Sequence, residues 1–248
     1  MKDETTSKST DLLGIAPYGE AIKIAVEKGF GAAEAVLSRI CLPAAEELGL
    51  MFRDKVRYWR LNNIINVINK SEGKLNFDDE KLTLTAHPKV VHEIMENASW
   101  TDDDNIQAMW AGLLISSCNE KEGDDSNLLF TNTLKLLTSN QVKTINFLCI
   151  NCKKKIDRHG FIMAEDMELT DDQLSEILNT KDIVQMDIEL DYLRSLEILS
   201  NENGFNFGGK KLVANLSPSA FTLNLFVKSQ GFKGTPREYF NLEYKETK

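Results

Sequence analysis

In one segment of the C-terminal half, the local sequence patterns follow one another in an order that few folds accommodate. Residues 138–141 and 170–173 both fit the capping box, in which Ser or Thr stands three positions before Gln or Glu at the start of a helix. Apolar residues three and four positions apart follow each box, and the same spacing returns in residues 182–200. The sequence therefore predicts three successive helices, the first with an apolar face from Val142 to Ile156.

A β-hairpin pattern follows the third predicted helix. The stretches 205–207 and 211–216 favour strands, and Gly208-Gly209 between them suits a tight turn. Ser217-Pro218 is typical of a helix start, because proline is favoured at the first helical position. Three helices, a hairpin and a final helix form a winged-helix layout, so we expect a winged-helix-like module over residues 138–231.

Helical periodicity also covers most of the preceding sequence. It runs from residue 18 to about residue 70 and returns between residues 88 and 137, with Ser99 or Thr101 expected to cap the helix that carries the Trp-Ala-Gly-Leu-Leu run. The expected fold class is mainly α, with an N-terminal helical bundle over residues 11–137 before the winged-helix-like module. Two polar ends complete the predicted organisation, a disordered tail at 1–10 and a polar tail at 232–248.

The composition is that of a soluble protein with a sizeable core. Of the 248 residues, 42% are hydrophobic and 27% are charged. The apolar runs are far shorter than the roughly 20 residues that a membrane-spanning helix needs. The N-terminus is polar and carries acidic residues, unlike a signal or transit peptide, so we expect a cytoplasmic protein without a membrane span.

The charge distribution disfavours nucleic-acid binding by the third predicted helix, which is the reading helix in DNA-binding winged-helix proteins. The chain has a net charge of −9, and residues 182–200 hold five acidic residues against Arg194 alone. Such a helix would repel the phosphates beside a groove. Lys210 and Lys211 in the predicted hairpin are the nearest basic residues for a nucleic-acid site.

The cysteines and histidines do not form a recognisable catalytic or metal-binding motif. Cys149 and Cys152 are spaced as C-x-x-C, but both fall on the apolar face of a predicted helix, so we expect reduced core thiols. His87 and His92 are five positions apart, which does not match a helical metal pair, and we expect them to be surface or capping residues. We therefore expect no cofactor.

Acidic clusters and phosphate-binding loops give no stronger indication of chemistry. Asp102–Asp104 could hold Mg²⁺, but carboxylates at a helix start are favourable without a metal. The glycine-rich phosphate-binding patterns and the Gly-x-Ser-x-Gly hydrolase pattern are absent from the sequence. The sequence thus predicts a protein that is not an enzyme and has no metal site.

Residues 53–60 combine arginines with aromatic residues on one predicted helix. Arg53, Arg57 and Arg60 share a helix face, and Tyr58 and Trp59 lie beside them. Arginine and aromatic residues are enriched in protein interfaces and in nucleic-acid grooves. Three interpretations remain open: ion pairs within the protein or between subunits, docking of a partner protein, and nucleic-acid binding.

Three runs of residues carry a family resemblance. They read Leu-Pro-Ala-Ala-Glu-Glu-Leu-Gly at 42–49, Trp-Ala-Gly-Leu-Leu at 110–114 and Leu-Ser-Pro-Ser-Ala-Phe at 216–221. Over residues 31–231 the chain resembles the abortive infection alpha (Abi-alpha) family of bacterial proteins. The resemblance implies a role in phage defence, in which an infected bacterium stops growing or dies before phage are released. Because these runs are helix-packing motifs, it supplies no catalytic residues.

The first functional hypothesis is a non-enzymatic anti-phage protein that binds a protein partner or another copy of itself. Arg53, Arg57, Tyr58, Trp59 and Arg60 are its candidate partner-binding residues.

The alternative hypothesis is a nucleic-acid-binding regulator or a cryptic nuclease. It would use the 53–60 row with Lys210 and Lys211, and Asp102–Asp104 for a metal.

Overall fold

The computed structural model describes residues 58–72, 85–119, 123–200, 202–206 and 212–243. The chain divides into two compact units, Met1–Lys135 and Leu136–Lys248. The described residues are mostly helical with small antiparallel sheets, which confirms the mainly α prediction. Residues 11–57 of the predicted helical domain lie outside the description. Within these ranges, no helix combines the length and the apolar character needed to cross a membrane.

The first unit contains four described helices. They are α1 (Tyr58–Glu72), α2 (Pro88–Ala98), α3 (Asp104–Ser117) and α4 (Leu128–Leu134). Helices α1, α2 and α4 all pack against α3. From Met109 to Cys118 every residue of this segment is buried, as expected of a helix that is apolar on all sides. Helix α3 is therefore the centre of this unit.

Asp103 caps helix α3. Its carboxylate oxygen Oδ1 accepts hydrogen bonds from the backbone N–H groups of Asn105 and Ile106, at 2.9 and 3.0 Å. The expectation that Ser99 or Thr101 serves as this cap is wrong. Ser99 is buried at the end of α2, while the Thr101 hydroxyl accepts from the backbone N–H of Asp103. A carboxylate cap also faces the positive end of the helix dipole.

The second unit contains five described helices and five described strands. The helices are α5 (Ser139–Asn151), α6 (Asp171–Leu178), α7 (Ile183–Ser195), α8 (Ala220–Ser229) and α9 (Pro236–Tyr239). The strands are β1 (Lys154–Ile156), β2 (Ile162–Ala164), β3 (Met167–Thr170), β4 (Gly204–Asn206) and β5 (Val213–Leu216).

Both predicted capping boxes are confirmed. At the start of α5 the Thr138 hydroxyl accepts from the backbone N–H of Gln141, and the Gln141 side chain accepts from that of Thr138, at 3.3 and 3.0 Å. Thr170 and Gln173 form the same pair of bonds at α6, with the same two distances. Each box satisfies backbone donors that would otherwise lack a partner at the helix start.

The predicted hairpin is present as the antiparallel pair β4–β5, in which Phe205 lies opposite Ala214. Residues 207–211, between the two strands, lie outside the description. The structure adds a third strand that the sequence did not predict, since β3 pairs with the other edge of β5 and gives the order β3-β5-β4. Strand β3 is only four residues long, and its last residue is the cap of α6. It is therefore too short to show the alternating apolar pattern of a strand.

The first helix of the second unit is shorter than predicted. Helix α5 ends at Asn151, and Ile156, expected on its apolar face, lies in strand β1 of a second hairpin, β1–β2. The Asp157 carboxylate stabilises the turn by accepting from the backbone N–H groups of His159 and Phe161, both at 2.8 Å. These bonds, chiefly the one from Phe161, hold the pKa of Asp157 below its usual value.

The segment from residue 232, predicted as a polar tail, is folded through residue 243. Thr235 and Glu238 form a third capping box at α9. The Phe226 ring of α8 stacks on Phe240, with ring centroids 6.3 Å apart. Aromatic packing therefore anchors this segment, although its polar composition concealed the few residues that provide it.

Helix α7 packs against the rest of its unit through one face. Met186, Leu190 and Leu193 recur at the helical period and are buried. Asp182 begins the helix by accepting from the backbone N–H groups of Val184 and Gln185. These contacts fix both the start of α7 and the side that it turns outward.

The two faces of α7 should differ sharply in their contribution to stability. We predict that Leu190→Ala lowers the free energy of unfolding by about 2–5 kcal/mol, because it leaves a cavity in the core. The matched control Ile188→Ala, on the opposite face, should change it by less than about 0.5 kcal/mol. Urea denaturation measures both values, and equal losses would contradict the burial of Leu190 and the exposure of Ile188.

Candidate protein-interaction surface

Helix α7 exposes a stripe of apolar side chains to solvent. Val184, Ile188 and Tyr192 are spaced i, i+4, i+8 and are 67%, 55% and 38% exposed. Single exposed apolar residues are common on protein surfaces, whereas contiguous exposed apolar residues are a feature of interaction sites. We call these three residues the α7 stripe.

The outward position of the stripe follows from the helical period. Successive residues of an α-helix are about 100° apart, so the stripe lies opposite the buried Met186, Leu190 and Leu193. A surface helix ordinarily places polar residues on this side. Helix α7 is therefore apolar on two opposite faces, of which its own unit covers one.

Carboxylates border the stripe on both sides. Asp187 and Asp191 lie on one side of it, and Glu189 lies on the other. The Glu189 carboxylate accepts hydrogen bonds from the side-chain amides of Gln141 and Gln185, at 2.5 and 3.2 Å. The surface of α7 is consequently apolar at its centre and acidic along its edges.

Arg194, the one basic residue of the predicted reading helix, is held by groups of its own unit. Its guanidinium forms an ion pair with Asp191 and donates to the backbone carbonyl of Asn203 at 2.8 Å. The guanidinium also lies close to Gly204, where φ is +146°: a Cβ atom at this position would be only 3.0 Å from Arg194 Nη1. Arg194 thus fastens α7 to the start of β4 and does not face an external phosphate.

A partly buried polar network fixes the base of the β4–β5 hairpin. The Asn203 side-chain oxygen accepts from the backbone N–H of Ser217 at 2.5 Å. The Ser217 hydroxyl donates to the Asp166 carboxylate at 2.6 Å and lies 3.1 Å from the Ser200 hydroxyl. The two buried side chains of the network, Asn203 and Ser217, are both hydrogen-bonded, so the network ties the ends of β4 and β5 to the loop before β3.

The structure describes part of the predicted partner-binding row at 53–60. Arg53 and Arg57 lie outside the description, as do Lys210 and Lys211 of the nucleic-acid alternative and the side chain of Tyr58. Trp59 is 42% exposed, whereas Arg60 is only 4% exposed. The role of the row in partner binding stays a prediction.

Arg60 makes contacts within the first unit. Its guanidinium donates to Glu96 Oε2 and to the Ser99 hydroxyl, both at 2.9 Å, and its Cζ atom lies 4.1 Å from the ring centroid of Trp100. Trp100 also donates from Nε1 to Glu96 Oε1 at 3.2 Å. For this member of the row, the structure shows the internal ion pairing that was one of the three interpretations.

Trp100 is an exposed aromatic residue that sequence reasoning did not single out. It is 60% exposed, and its ring centroid lies 6.4 Å from that of Trp59. Its exposure could have been inferred from its position: Trp100 comes just before the acidic start of α3 and does not belong to the apolar period of either neighbouring helix. The stripe on α7 was also missed, because the periodicity of residues 182–200 was interpreted as one apolar face and a second apolar row was not considered.

Cys149 and Cys152 are free thiols, and both are buried. Burial raises the pKa of the Cys152 thiol to about 11 and raises that of Cys149 as well. Cys149 Sγ lies 4.0 Å from the carbonyl oxygen of Thr222, and Cys152 Sγ lies 3.7 Å from that of Leu216. The pair therefore occupies the core as thiols, as predicted, and Cys41 lies outside the description.

The acidic cluster at 102–104 lies at the start of helix α3 and contributes to its capping and to an ion pair. Asp103 is the cap of α3, and Asp104 pairs with Lys70 at 2.7 Å. The hydrogen bond from Lys70 lowers the pKa of Asp104. Among the described residues, no group of three or more His, Cys, Asp or Glu side chains is arranged to hold a metal ion.

Removal of Arg60 should destabilise the first unit. We predict that Arg60→Ala lowers the free energy of unfolding by about 2–4 kcal/mol, since it breaks a partly buried ion pair with Glu96 and a buried hydrogen bond to Ser99. Arg60→Lys should recover only part of this loss, because an ammonium cannot reproduce the planar donor pair. The exposed Asn66→Ala on the same helix is the control. If Arg60→Ala matched that control in urea denaturation, the internal role would be refuted.

Thiol labelling tests the burial of the Cys149–Cys152 pair. In a Cys41→Ser background, we predict that iodoacetamide at about pH 8 leaves both residues unmodified in the folded protein, because the thiolate is the reactive form. Both should react after unfolding in urea, as peptide mass spectrometry would show. Rapid labelling of Cys152 in the folded state would contradict the raised pKa and would reopen redox or metal chemistry.

The comparisons with known proteins place the chain in a family. The family model described as abortive infection alpha matches residues 60–216, which is more than half of the chain. No curated protein and no solved structure matches the sequence. The matched span includes helix α1 from residue 60 onward, helices α2 to α7 and strands β1 to β5, and with them the stripe and the Arg60 contacts. The chain belongs to the abortive infection alpha family.

Proposed function

We propose that this protein acts in abortive-infection-type defence against phage by binding a protein through the α7 stripe, without catalysing a reaction itself. Family membership supports the defence role. The exposed apolar row on α7 supports the mode of action. In this proposal the protein works in the cytoplasm, where phage replicate, and the partner is another protein or a second copy of the chain.

The second unit is inferred to be winged-helix-like. Its order α5-β3-α6-α7-β4-β5 and its sheet order β3-β5-β4 fit that layout, with the β1–β2 hairpin inserted after α5. In this arrangement α7 occupies the position of the helix that reads DNA in DNA-binding relatives of the fold. A fold does not determine a function, so the surface of α7 has to decide between the possibilities.

The surface chemistry of α7 favours protein over nucleic acid. A reading helix presents Arg, Lys, Asn or Gln to base edges and tolerates phosphates beside it. Helix α7 presents Val184, Ile188 and Tyr192 instead, within a stretch whose net charge is −4. Contact with a duplex would place carboxylates against phosphates and would leave the apolar stripe without a partner.

The 53–60 row is proposed as a second contact surface. Trp59 and Trp100 form an exposed aromatic pair there, and tryptophans are frequent anchors of protein interfaces. Because Arg60 is buried and paired, its contribution would be to orient Trp100 and not to touch a partner directly.

A phage challenge tests the proposed function. We predict that Val184→Asp/Ile188→Asp abolishes protection, because two carboxylates in the stripe would remain unpaired on contact with an apolar partner. The control Leu129→Asp, at an exposed apolar position of α4, should protect like the wild type. Plaque counts on bacteria expressing each variant measure the effect, and circular dichroism checks that each variant is folded.

Partner capture complements the phage challenge. Affinity purification from infected cells should recover a protein with the wild type and with Leu129→Asp, and lose it with Val184→Asp/Ile188→Asp. Full protection by the stripe variant would refute the proposal, as would recovery of nucleic acid in place of protein.

A further inference from the structure

We infer that the element bound by the α7 stripe is itself an amphipathic helix, with Lys or Arg residues along both edges of its apolar face. This inference rests on the proposed function, because it specifies the partner of the same surface. Two independent properties of α7 lead to it, the shape of the stripe and the sign of the charge around it.

The shape of the stripe fits a helix. Residues at i, i+4 and i+8 form a continuous ridge about 12 Å long on the helix surface. Such a ridge packs into the groove between the ridges of a second helix, which is the common mode of helix–helix contact. An added strand would need unpaired backbone donors and acceptors, and the backbone within a helix has already used its own.

The charge around the stripe requires a basic partner. Between residues 171 and 195 the chain holds seven acidic residues and two basic ones, a net charge of −5. One of the two basic residues, Arg194, is engaged by Asp191 and by the carbonyl of Asn203. The second, Lys181, precedes the helix. With the Arg194–Asp191 pair set aside, the segment still holds six acidic residues against Lys181, an excess that can attract cations from outside.

The carboxylates stand where a partner helix would place its edge residues. Asp187 and Asp191 follow one side of the stripe and Glu189 follows the other, as charged residues flank the apolar seam of a coiled coil. Helix α6, which packs on α7, adds the exposed Asp171, Asp172 and Glu176 to the same acidic segment. Carboxylates desolvated beside an apolar contact are stabilised when the partner supplies opposite charge, and an acidic partner would be repelled.

Synthetic helices provide a defined test with the full-length protein. The first peptide carries Leu in an i, i+4, i+8 row bordered by Lys, the second has Glu in place of each Lys, and the third is a scramble of the first. Fluorescence polarisation of the labelled peptides measures affinity. We expect the Lys helix to bind at least about tenfold more tightly than the Glu helix or the scramble. Its affinity should fall at about 0.3 M salt, where surface charges are screened.

Variants of α7 locate the binding and test the charge requirement. Ile188→Asp should abolish binding of the Lys helix. Asp187→Lys/Asp191→Lys should reverse the preference toward the Glu helix, and the neutral Asp187→Asn/Asp191→Asn should reduce the difference if the reversed variant does not fold. Asp125→Lys, an exposed acidic position in the first unit, is the matched control and should change nothing.

The possible failures are distinguishable. Equal binding of the Lys and Glu helices, binding of the scramble, or no binding of any peptide would overturn the basic-helix inference, even if stripe variants still lose phage protection. Self-association of the protein that is lost with Ile188→Asp, without binding of the Lys helix, would overturn it in favour of a second copy. If stripe variants protect fully against phage, the proposed function itself fails, whatever the peptides do.

Discussion

The burial of Met186, Leu190 and Leu193 in the core of the second unit is the contact on which the functional account depends. Because a helix is rigid, burying one face fixes what the opposite face presents, and here that face is Val184, Ile188 and Tyr192. The Asp182 cap and the Arg194 contacts hold the two ends of the helix. The stripe is therefore presented by an element whose position does not depend on a ligand.

The sequence predicted best what short-range physics controls. Two capping boxes, the β4–β5 hairpin and the helical class follow from local patterns of residues such as Thr138 and Gln141, and the structure confirms them. Strands β1 to β3 were missed because each is three or four residues long and is stabilised by pairing that the sequence does not display. The folded segment after residue 232 depends on the stacking of Phe226 and Phe240, which are far apart in any local window.

The candidate site was harder to predict, because periodicity cannot tell which of two apolar faces is covered. The sequence of residues 182–200 suggested a single apolar face on this helix.

 

Seven of the 13 residues of α7 are apolar, and three of them, Met186, Leu190 and Leu193, are buried. Only tertiary packing shows that Val184, Ile188 and Tyr192 remain outside. Arg60 illustrates the same limit, since a row of arginines in the sequence does not reveal which member turns inward to Glu96 and Trp100.

Photo-crosslinking from position 188 tests the central claim most directly. A photoreactive phenylalanine analogue at this position would report what touches the α7 stripe in infected cells, and the same analogue at Leu129 would report background contacts. The account predicts a protein adduct from position 188 during infection and none from position 129. A nucleic-acid adduct from position 188, or no adduct beyond that of position 129, would contradict it.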